Sequence, residues 1–404
     1  MNILVVCQYF YPEQFRVNDI CFELAAQGHS VTVLTGLPNY PSGTVAKEYR
    51  WFRKRKEEIN GVQVIRSWLT GRGKGSIRLA LNYLSFALSA SIQALSLRKD
   101  FDLVLIYQLS PVTMALPGIL LKKLSGIPLV LYCHDLWPES IASAGFSSES
   151  TLYKLLYRLS RWIYLKADHI FISSRQFEEY FTETLKISGP FIHLPVYAEG
   201  IFGKIPPPSE KEGIDLLFAG NIGEMQSVET IIRAARELLN DPSIRFHIVG
   251  NGSSLEKCKS LASDLNVKNV FFHGQHPISE MPLFYEKADA FLVTLKKNRA
   301  ISFTLPNKVQ SYLAAGRPLL GAIDGETREV ILKAECGLCA PAEDYRELAR
   351  NIRTFAYNKE QALQWGKNAR KFYEANFSKG SYLKKLNTLL QNIVKQGDTQ
   401  NVQG

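Results

Sequence analysis

The sequence predicts an α/β protein of two Rossmann-like domains, and three observations support this. The chain has 404 residues, which suits two domains of roughly 200 residues better than one core. Short apolar runs alternate with longer helical patterns, as in parallel sheets covered by helices. A segment rich in proline and glycine, Pro195–Gly213, interrupts this alternation near the middle. Two similar α/β halves joined by a linker therefore account for the whole chain.

The first half alternates strands and helices from its first residues. Each predicted strand is a short apolar run, and each helix is a longer segment between two such runs. The predicted strands are Ile3–Val6, Val31–Leu34, Val62–Ile65, Leu103–Ile106, Leu129–Tyr132 and Ile170–Ile172. The predicted helices are Val17–Ala26, Ile77–Leu97, Val112–Leu124 and Leu152–Lys166.

The second half resumes the alternation after the linker and ends in helices. Its predicted strands are Leu216–Ala219, Phe246–Val249, Val270–Phe272, Phe291–Val293 and Leu319–Leu320. Its predicted helices are Val228–Leu239, Leu255–Leu265, Lys308–Ala315, Tyr345–Phe355, Lys359–Ala375 and Tyr382–Lys395. We therefore expect domains at residues 1–197 and 213–375, a linker at 198–212 that includes Pro208, a helix at 376–396 and a polar tail at 397–404.

Composition narrows the class of protein. A hydrophobic content of 46% and a charged content of 21% are globular values. The net charge of +10 favours an anionic partner, which could be a phosphate group, an acidic lipid surface or a nucleic acid. No recognised nucleic-acid motif accompanies this charge, so nucleic acid is not an expected partner. The six cysteines are scattered, mostly in apolar runs, and are interpreted as reduced residues of a cytosolic protein.

Neither a secretory leader nor a membrane span is expected. The apolar run Asn2–Cys7 has no basic leader or cleavage site. The run Leu79–Leu97, flanked by Arg78 and Arg98, is almost long enough to cross a bilayer. Polar residues dilute it, so a buried or interfacial helix is expected. Its apolar residues form a helical stripe: Leu81, Leu84, Leu88, Ile92 and Leu95.

Three motifs that suggest cofactor or metal chemistry are incomplete. The loop after the first strand lacks GxGxxG, and the nearest candidate, Gly71–Ser76, ends in serine, so a dinucleotide is not expected. The pair Cys336 and Cys339 has no second pair of ligands nearby for zinc. The DxD motif Asp100–Asp102 precedes a strand, on the wrong side for a strand-end site, and is interpreted as a solvated turn.

Chemistry-bearing residues follow the strand Leu129–Tyr132. In parallel α/β sheets, ligands bind beyond the carboxyl ends of the strands. The loop Cys133–Ser140 carries His134, Asp135, an indole and Glu139, a density that favours a functional site. The alternative is that His134 caps a helix beginning near residue 140.

Two glycine turns and one helix start in the second half predict a phosphate site. Gly220–Ser227 and Gly250–Ser253 each follow a strand, where backbone amides can approach an anion. The segment Ser302–Lys308 places hydroxyls, amides and a lysine at a helix N-terminus, which suits a diphosphate. The alternative for Lys308 is an ordinary solvated lysine.

At these residues the sequence resembles the retaining glycosyltransferases of family 4, which have the GT-B fold. It is most similar to the branch of capsule, O-antigen and colanic-acid transferases that includes aminosugar transferases. The resemblance covers nearly the whole chain. The motifs that carry it are Tyr9–Glu13, Gly28–Val33, Leu37–Pro41, His134–Glu139, Gly220–Gly223 with Gln226, Pro306–Lys308 and Ala314–Pro318.

The resemblance implies two domains facing a central cleft, an acceptor site in the first, a donor site in the second and no required metal. It also implies that the final helix packs back on the first domain. The implied catalytic residues are His134 and Asp135. The implied donor residues are Gly220, Asn221, Gly223, Gln226, Gly250, Gly252, Ser302, Thr304, Asn307 and Lys308. The implied acceptor-side residues are Phe15, Arg16, Asn39, Tyr40 and Glu139.

The chain departs from the wider family at its donor residues. Phe303 and Ser311 stand where the family has two glutamates, and Asn221 and Gln226 stand where it has a diphosphate-binding arginine and lysine. The diphosphate charge would then be met by Lys308, with help from Arg299 or Lys297.

The expected function is transfer of a sugar, an N-acetylated hexosamine or deoxy-hexosamine, from a UDP-type donor to a lipid-diphosphate-linked saccharide. Two other classes stay open: a GT-B sugar-nucleotide epimerase and a catalytically weak membrane scaffold.

We also expect peripheral attachment at the inner face of the cytoplasmic membrane. Basic residues surround Trp51 and Phe52, and helix Leu152–Lys166 has a basic side, which together suit an anionic headgroup layer. The alternative is a solvated basic face over a normal core. The basic residues are Lys47, Arg50, Arg53, Lys54, Arg55 and Lys56, with Lys154, Arg158 and Arg161 on the helix.

Overall fold

The computed structural model describes residues 1–51, 53–97, 100–142, 147, 149–207 and 211–402, the side chains of 142 and 398–402 excepted. Phe52, Arg98 and Pro208 lie outside these residues. The chain divides into two compact units. The N-terminal unit contains Met1–Ser173, Phe177–Leu194 and the last helix from Leu383. The C-terminal unit contains Ser174–Gln176 and Pro195–Tyr382.

The N-terminal unit is built on an eight-stranded sheet of order β3-β4-β2-β1-β5-β6-β7-β8. Every neighbouring pair is parallel except β3 with β4. The strands are β1 (Asn2–Val6), β2 (Ser30–Gly36), β3 (Lys56–Ile59), β4 (Val62–Ser67), β5 (Leu103–Gln108), β6 (Leu129–Cys133), β7 (His169–Ile172) and β8 (Phe191–His193). β1, β5 and β6 are almost wholly buried, which explains their continuous apolar sequences.

Helices of this unit connect the parallel strands. They are α1 (Arg16–Ala26), α2 (Ser76–Leu95), α3 (Leu116–Ser125), α4 (Glu139–Ala142), α5 (Thr151–Tyr164) and α6 (Phe177–Glu179), which continues as one π-helical turn, Tyr180–Thr184. A 3-10 turn, Val112–Ala115, precedes α3. The predicted helix Val112–Leu124 is therefore two segments.

The antiparallel pair β3–β4 is a departure from the predicted parallel pattern. Asn60 and Gly61 join the two strands, and both have positive φ, 49° and 76°. A two-residue loop with positive φ at both positions is the turn that closes tight hairpins. The Asn-Gly pair was the available signal, and the charged sequence of β3 hid the strand.

The C-terminal unit has a six-stranded, wholly parallel sheet of order β11-β10-β9-β12-β13-β14. This order is that of a Rossmann sheet, with its switch point between β9 and β12. The strands are β9 (Ile214–Ala219), β10 (Ile244–Val249), β11 (Val270–Gly274), β12 (Ala290–Thr294), β13 (Leu319–Ala322) and β14 (Gly337–Ala340).

Nine helices accompany this sheet among the described residues. They are α7 (Val228–Glu237), α8 (Leu255–Asp264), α9 (Met281–Lys287), α10 (Arg299–Ser302), α11 (Asn307–Ala315), α12 (Gly325–Lys333), α13 (Tyr345–Ala356), α14 (Lys359–Asn376) and α15 (Lys379–Val402). Helix α15 begins in this unit and continues into the N-terminal unit. It extends to Val402, so the predicted polar tail is helical over most of its length, while Gln403 and Gly404 lie outside the description.

Part of the predicted linker belongs to the core of the C-terminal unit. Gly200–Lys204 forms a 3-10 turn, and Phe202 stacks on Tyr285 with ring centroids 4.5 Å apart. Ala198 and Ile205 are buried in the same cluster. Glycine and proline therefore mark a change of backbone direction here, while the apolar residues between them are anchored in a core.

Candidate active site

Two glycine turns meet at the carboxyl end of β9 and β10. The amide of Ile222 donates to the carbonyl of Asn251 (2.9 Å), and the amide of Ser254 donates to the carbonyl of Ile222 (2.9 Å). Gly250 has φ of 146°, and a Cβ there would lie 1.8 Å from the carbonyl oxygen of Gly220. The close approach of the two turns therefore requires glycine at Gly250.

Gly223 and Gly252 leave room for the amide side chain of Asn221. A Cβ on Gly223 would lie 2.7 Å from Nδ2 of Asn221, and one on Gly252 would lie 2.6 Å from its Oδ1. Asn221 itself is exposed. Gly220, Asn221, Gly223, Gly250 and Gly252, which the sequence suggested as donor residues, are thus brought together.

Lys308 reaches this meeting point from the first turn of α11. Its Nζ donates to Oε1 of Gln226 (2.8 Å) and lies 3.8 Å from the ring centroid of Phe218. A Cβ on Gly220 would lie 3.2 Å from the same nitrogen. Burial lowers the pKa of Lys308 to about 7. Lys308 is therefore not an ordinary solvated lysine.

The surroundings of Lys308 lack a compensating carboxylate. No acidic side chain among the described residues forms an ion pair with it, and burial is the cause of its lowered pKa. Burying an amine disfavours its charged form unless an anion is nearby. A phosphate group at the glycine turns would supply that anion.

Sequence reasoning missed three residues that hold Lys308 and the turn in place. Tyr312 donates from its hydroxyl to the carbonyl of Ala219 (3.1 Å) and accepts from the amide of Ala219 (2.8 Å). Thr294 Oγ1, at the end of β12, donates to the carbonyl of Gln226 (2.6 Å). The ring of Phe218 packs against the amine. Tyr312 follows Lys308 by four residues on α11, which was the available signal.

The other predicted donor residues have local contacts. Ser302 Oγ donates to the carbonyl of Arg299 (2.7 Å), and the carbonyl of Thr304 accepts from Thr327 Oγ1 (3.4 Å). Asn307 is exposed at the start of α11. The recorded contacts of Ser302 and Thr304 are thus with α10 and α12.

The suggested helper cations, Lys297 and Arg299, have other contacts. Lys297 is exposed, and its backbone amide donates to Glu343 Oε2 (3.0 Å). The guanidinium of Arg299 lies 5.7 Å from the ring centroid of Phe303. It is Lys296 whose backbone amide contacts the turn, donating to the carbonyl of Met225 (3.0 Å).

The two positions where the family has glutamate differ from each other. Phe303 is buried, and its carbonyl accepts a hydrogen bond from Ser174 Oγ. Ser311 Oγ lies 3.5 Å from Oε2 of Glu199 and 3.5 Å from the carbonyl of Asn307. A carboxylate is therefore present beside Ser311, although it comes from a segment that was predicted to be linker.

In the N-terminal unit, His134 follows β6 and is enclosed by aromatic rings. Its ring centroid lies 4.0 Å from that of Tyr107 and 4.1 Å from that of Tyr132. Burial lowers its pKa to about 3, so the imidazole is neutral at neutral pH. Its Nε2 is buried and has no hydrogen-bond partner among the described residues. A buried nitrogen without a partner is rare in proteins and can be satisfied by a ligand.

Asp135 holds the neighbouring loops together. Its Oδ2 accepts from the amide (2.8 Å) and the hydroxyl (2.9 Å) of Ser110, which follows β5. Trp137 Nε1 donates to the same hydroxyl (3.0 Å). Burial raises the pKa of Asp135 despite the hydrogen bonds from Ser110. Through these hydrogen bonds, the Asp135 carboxylate fixes the loop that carries His134.

Glu139 begins α4, so the alternative that His134 caps this helix does not hold. Glu139 Oε1 accepts hydrogen bonds from the hydroxyls of Tyr153 (2.5 Å) and Tyr180 (3.3 Å). These two hydrogen bonds give the Glu139 carboxylate a structural role.

Two predicted acceptor-side residues, Phe15 and Tyr40, belong to an aromatic group at the end of β1 and β2. The rings of Tyr9 and Phe15 stack at 5.1 Å, and Tyr40 lies 5.5 Å from Phe15. The Arg72 guanidinium lies 5.5 Å from the Tyr40 ring, and its Nη1 donates to the Tyr9 hydroxyl (3.4 Å). Tyr40 is 45% exposed and could stack on a sugar. Half-buried Arg16 lies at the start of α1.

Asn39 and Glu13 fix the backbone beneath this group. Glu13 Oε1 accepts from the amides of Asn39 (2.8 Å) and Tyr40 (2.6 Å). Burial raises the pKa of Glu13 to about 7. The Asn39 amide oxygen accepts from Asn82 Nδ2 (3.2 Å) and from the amide of Arg72 (3.2 Å). Asn39 is therefore buried and structural, whereas Arg72, which sequence reasoning did not select, reaches the aromatic group.

The structure also bears on the expectations for the cysteines, the DxD motif, metal binding and membrane crossing. All six cysteines are free, and five are buried. Asp102 Oδ2 accepts from the amide of Asn2 (2.7 Å), so the DxD motif is part of a turn before β5. Within the described part of the chain, no cluster of three or more His, Cys, Asp or Glu is arranged to hold a metal ion. No described helix combines the length and apolar character needed to cross a bilayer.

Comparisons with known proteins identify the family. Residues 204–372 match the family described as glycosyl transferases group 1, and residues 14–193 match the glycosyl transferase 4-like domain. WcaI of Escherichia coli K12, named as a colanic acid biosynthesis glycosyl transferase, is 28% identical over 338 residues, covering 78% of this chain and 82% of that protein.

Solved structures show the same fold. Sucrose-phosphate synthase of Thermosynechococcus elongatus matches with a TM-score of 0.75 at 16% identity, over 98% of this chain and 99% of that chain. HepE of Anabaena, solved in complex with UDP and glucose, matches with a TM-score of 0.71 at 13% identity, over 97% and 99%. The chain therefore belongs to the glycosyltransferases of the group 1 and family 4 type, with the GT-B fold of two parallel-sheet α/β domains.

Proposed function

We propose that this chain transfers a sugar from a nucleoside diphosphate to a lipid-linked saccharide, with the donor diphosphate bound at Lys308. One observation carries the proposal: an amine without a carboxylate partner in the described part of the chain lies where two glycine turns meet at the end of β9. Backbone amides at such turns, together with a cation, are a general means of binding phosphate.

The same arrangement suits the chemistry of transfer. The bond between the sugar's anomeric carbon and the diphosphate oxygen breaks, and the electron pair stays on that oxygen. Lys308, held by Gln226, would stabilise this developing charge without reorganisation. Retention of configuration is our expectation from the family resemblance, and no side chain is assigned as a covalent nucleophile.

His134 would act on the sugar as a neutral hydrogen-bonding group. Burial lowers the pKa of His134 to about 3, so its imidazole is neutral at neutral pH, and its Nε2 has no partner among the described residues. Asp135 would act through His134, because Ser110 engages its carboxylate. The aromatic group of Tyr9, Phe15 and Tyr40 with Arg72 would bind the acceptor.

The donor and acceptor classes are proposed by analogy. HepE is described in complex with UDP and glucose, which supports a UDP-sugar here. WcaI is named for colanic acid biosynthesis, which supports a role in surface polysaccharide assembly. We propose an N-acetylated hexosamine or deoxy-hexosamine as the sugar. We further propose that the protein is cytoplasmic and attaches to an anionic membrane, since Lys47, Arg50, Trp51, Arg53 and Lys54 are exposed.

Thermal stabilisation by a panel of nucleotide sugars is the first test. A ligand bound only by the folded protein raises its melting temperature by mass action. We expect UDP-sugars to raise it more than ADP- or GDP-sugars, and we expect the same ranking with EDTA present. Loss of the stabilisation in EDTA would contradict a donor site without a metal.

Product analysis distinguishes the alternatives. Transfer of labelled sugar to a lipid extract supports the proposal. Conversion of the donor to its epimer without an acceptor would identify an epimerase, and the absence of donor binding and turnover would favour a scaffold.

A further inference from the structure

The helix α2 presents an apolar stripe to solvent, contrary to the usual burial of such a stripe. Each of the six side chains that form this stripe is between 51% and 76% exposed. The opposite side of the helix, including Phe86 and Ala90, is buried against the sheet and α3. The stripe consists of Ile77, Leu81, Leu84, Leu88, Ile92 and Leu95.

Two other helices share this face of the sheet. The crossovers from β4 to β5, β5 to β6 and β6 to β7 all run in the same direction along the sheet. Right-handed crossovers then place α2, α3 and α5 on one face and α1 on the other. α2 contacts α3, and α5 contacts the turn that leads into α3. We call the outer surface of α2, α3 and α5 the helical face.

More apolar side chains are exposed on α3 and α5. Leu124 is exposed at the end of α3, and Leu152, Leu155 and Trp162 are exposed on α5. The alternative interpretation, in which the apolar side of α5 faces the core, does not hold for Leu152 and Leu155. Large apolar side chains exposed on adjacent helices of one face indicate an interaction site.

The charges of the helical face all have one sign. None of the three helices contains Asp or Glu. One of their cations, Lys122, pairs with Asp168 (2.5 Å), and Arg161 Nε donates to the carbonyl of Leu185 (2.9 Å). The cations are Arg78, Lys122, Lys123, Lys154, Arg158 and Arg161.

We propose that the helical face docks on an anionic lipid bilayer, with α2 lying in the plane of the membrane and its six apolar side chains entering the headgroup boundary. An apolar stripe beside cationic residues is what such surfaces bind. At 1.5 Å per residue α2 is about 30 Å long, and it lies along the surface rather than across the bilayer.

The charge pattern selects lipid over a second copy of the chain. A twofold interface brings the same patch onto itself, so the cations of one copy would face those of the other. Anionic headgroups instead neutralise them. The docking gives the enzyme access to a lipid-linked acceptor, and in that respect it rests on the proposed function.

Flotation with vesicles tests the docking. The double variant Leu88→Glu/Ile92→Glu places carboxylates on the stripe at exposed positions. We expect it to bind vesicles of equal parts phosphatidylglycerol and phosphatidylcholine at least about tenfold more weakly than the wild type. The matched control Leu332→Glu/Leu363→Glu changes two exposed leucines of the C-terminal unit and should bind normally.

A fluorescent label tests insertion directly. An environment-sensitive dye on Leu88→Cys should shift to the blue with these vesicles, whereas the same dye on Leu332→Cys should not. The native cysteines are buried except Cys339, which is half-buried, so an Leu88→Cys/Cys339→Ser protein gives a specific signal.

Three results would overturn the docking: normal vesicle binding by the double Glu variant, no shift of the dye on Leu88→Cys, or a wild-type dimer in solution that this variant dissociates. The last result would assign the face to a second copy. Stabilisation by UDP-sugars, measured on the same proteins without lipid, reports separately on the proposed function.

Discussion

The proposed donor site depends on Lys308, and the environment of this side chain makes its role testable. Replacement by Met keeps the length of the side chain and removes the charge. Losing one charge-assisted contact should weaken UDP-sugar binding by about 1.5–3 kcal/mol. The matched control is Lys333→Met, which removes a surface lysine that pairs with Glu329 (3.1 Å). Calorimetric titration measures both, and equal affinity in Lys308→Met and wild type would exclude the amine from the site.

The lowered pKa of Lys308 predicts how binding depends on pH. Above a pKa of about 7 the free amine loses its proton, so the wild-type affinity for UDP-sugar should fall as pH rises from 7 to 9. Lys308→Met should lack this dependence. The free energy of unfolding should show the opposite dependence on pH. Above pH 7 the unfolded chain binds more protons at Lys308 than the folded chain does, so the contribution of this group to wild-type stability rises with pH.

His134 is predicted to act on the reacting sugar. His134→Phe keeps the ring between Tyr107 and Tyr132 but removes both nitrogens. A lost hydrogen bond of about 1.4 kcal/mol corresponds to a tenfold lower transfer rate. UDP affinity should be unchanged, because the proposed contact is to the sugar. Steady-state kinetics beside a UDP titration makes the comparison, and a wild-type rate would leave His134 with a packing role only.

Glu13 is predicted to make stability depend on pH. Its pKa is raised by burial to about 7, so the folded chain binds more protons than the unfolded chain between about pH 4.3 and 7. Stability from this group is therefore lost as pH rises through that window. Glu13→Gln keeps an acceptor for the amides of Asn39 and Tyr40 and should be more stable at pH 8, by up to about 3 kcal/mol. Denaturant unfolding at pH 5 and pH 8 tests this, and an unchanged pH slope would contradict it.

At the scale of elements, the proposed donor site depends on the contact between two strand-end turns. Gly250→Ala would place a Cβ 1.8 Å from the carbonyl oxygen of Gly220, so the turns must separate. We expect a loss of more than about 2 kcal/mol of stability and of most UDP-sugar binding. Gly274→Ala is the control, because Gly274 also has positive φ (76°) but has no atom within 4 Å of the added Cβ.

The control should cost only the backbone term, about 1 kcal/mol, and should leave UDP-sugar binding intact. If both variants lose binding equally, general destabilisation explains the result and the contact between the turns has no special role.

At the scale of the whole molecule, the positive charge predicts attachment that weakens with salt. Replacing Arg53, Lys54 and Lys56 by Gln should reduce binding to anionic vesicles, since each cation near such a surface contributes about 1 kcal/mol. Replacing Lys359, Lys367 and Lys371 on α14 by Gln removes the same charge from the C-terminal unit and should have little effect.

Co-sedimentation at rising ionic strength is the measurement, because salt screens these charges. Equal losses in the two triple variants would show that only net charge matters. Binding to neutral vesicles as strong as to anionic ones would contradict attachment through this cluster.

The sequence by itself determined the two-sheet architecture, because buried parallel strands must be continuous apolar runs. It also located the strand-end loops, and the Gly220–Ser227 turn, the Gly250–Ser253 turn and Lys308 do come together. It missed β3, β8 and β14. These edge strands are short or charged, and they are too little buried to require a continuous apolar run.

Only the tertiary structure decided how each polar group is used. The sequence suggested a catalytic role for Asp135 and an acceptor-side role for Glu139, whereas the structure shows both carboxylates in hydrogen bonds with residues distant in the chain, Ser110 and Tyr180. The apolar stripe of α2 indicated either a buried or an interfacial helix, and the structure shows that the side facing the core is the one with Phe86 and Ala90. Periodicity shows that a helix has an apolar side, but which side is covered depends on neighbours that lie far away in the chain.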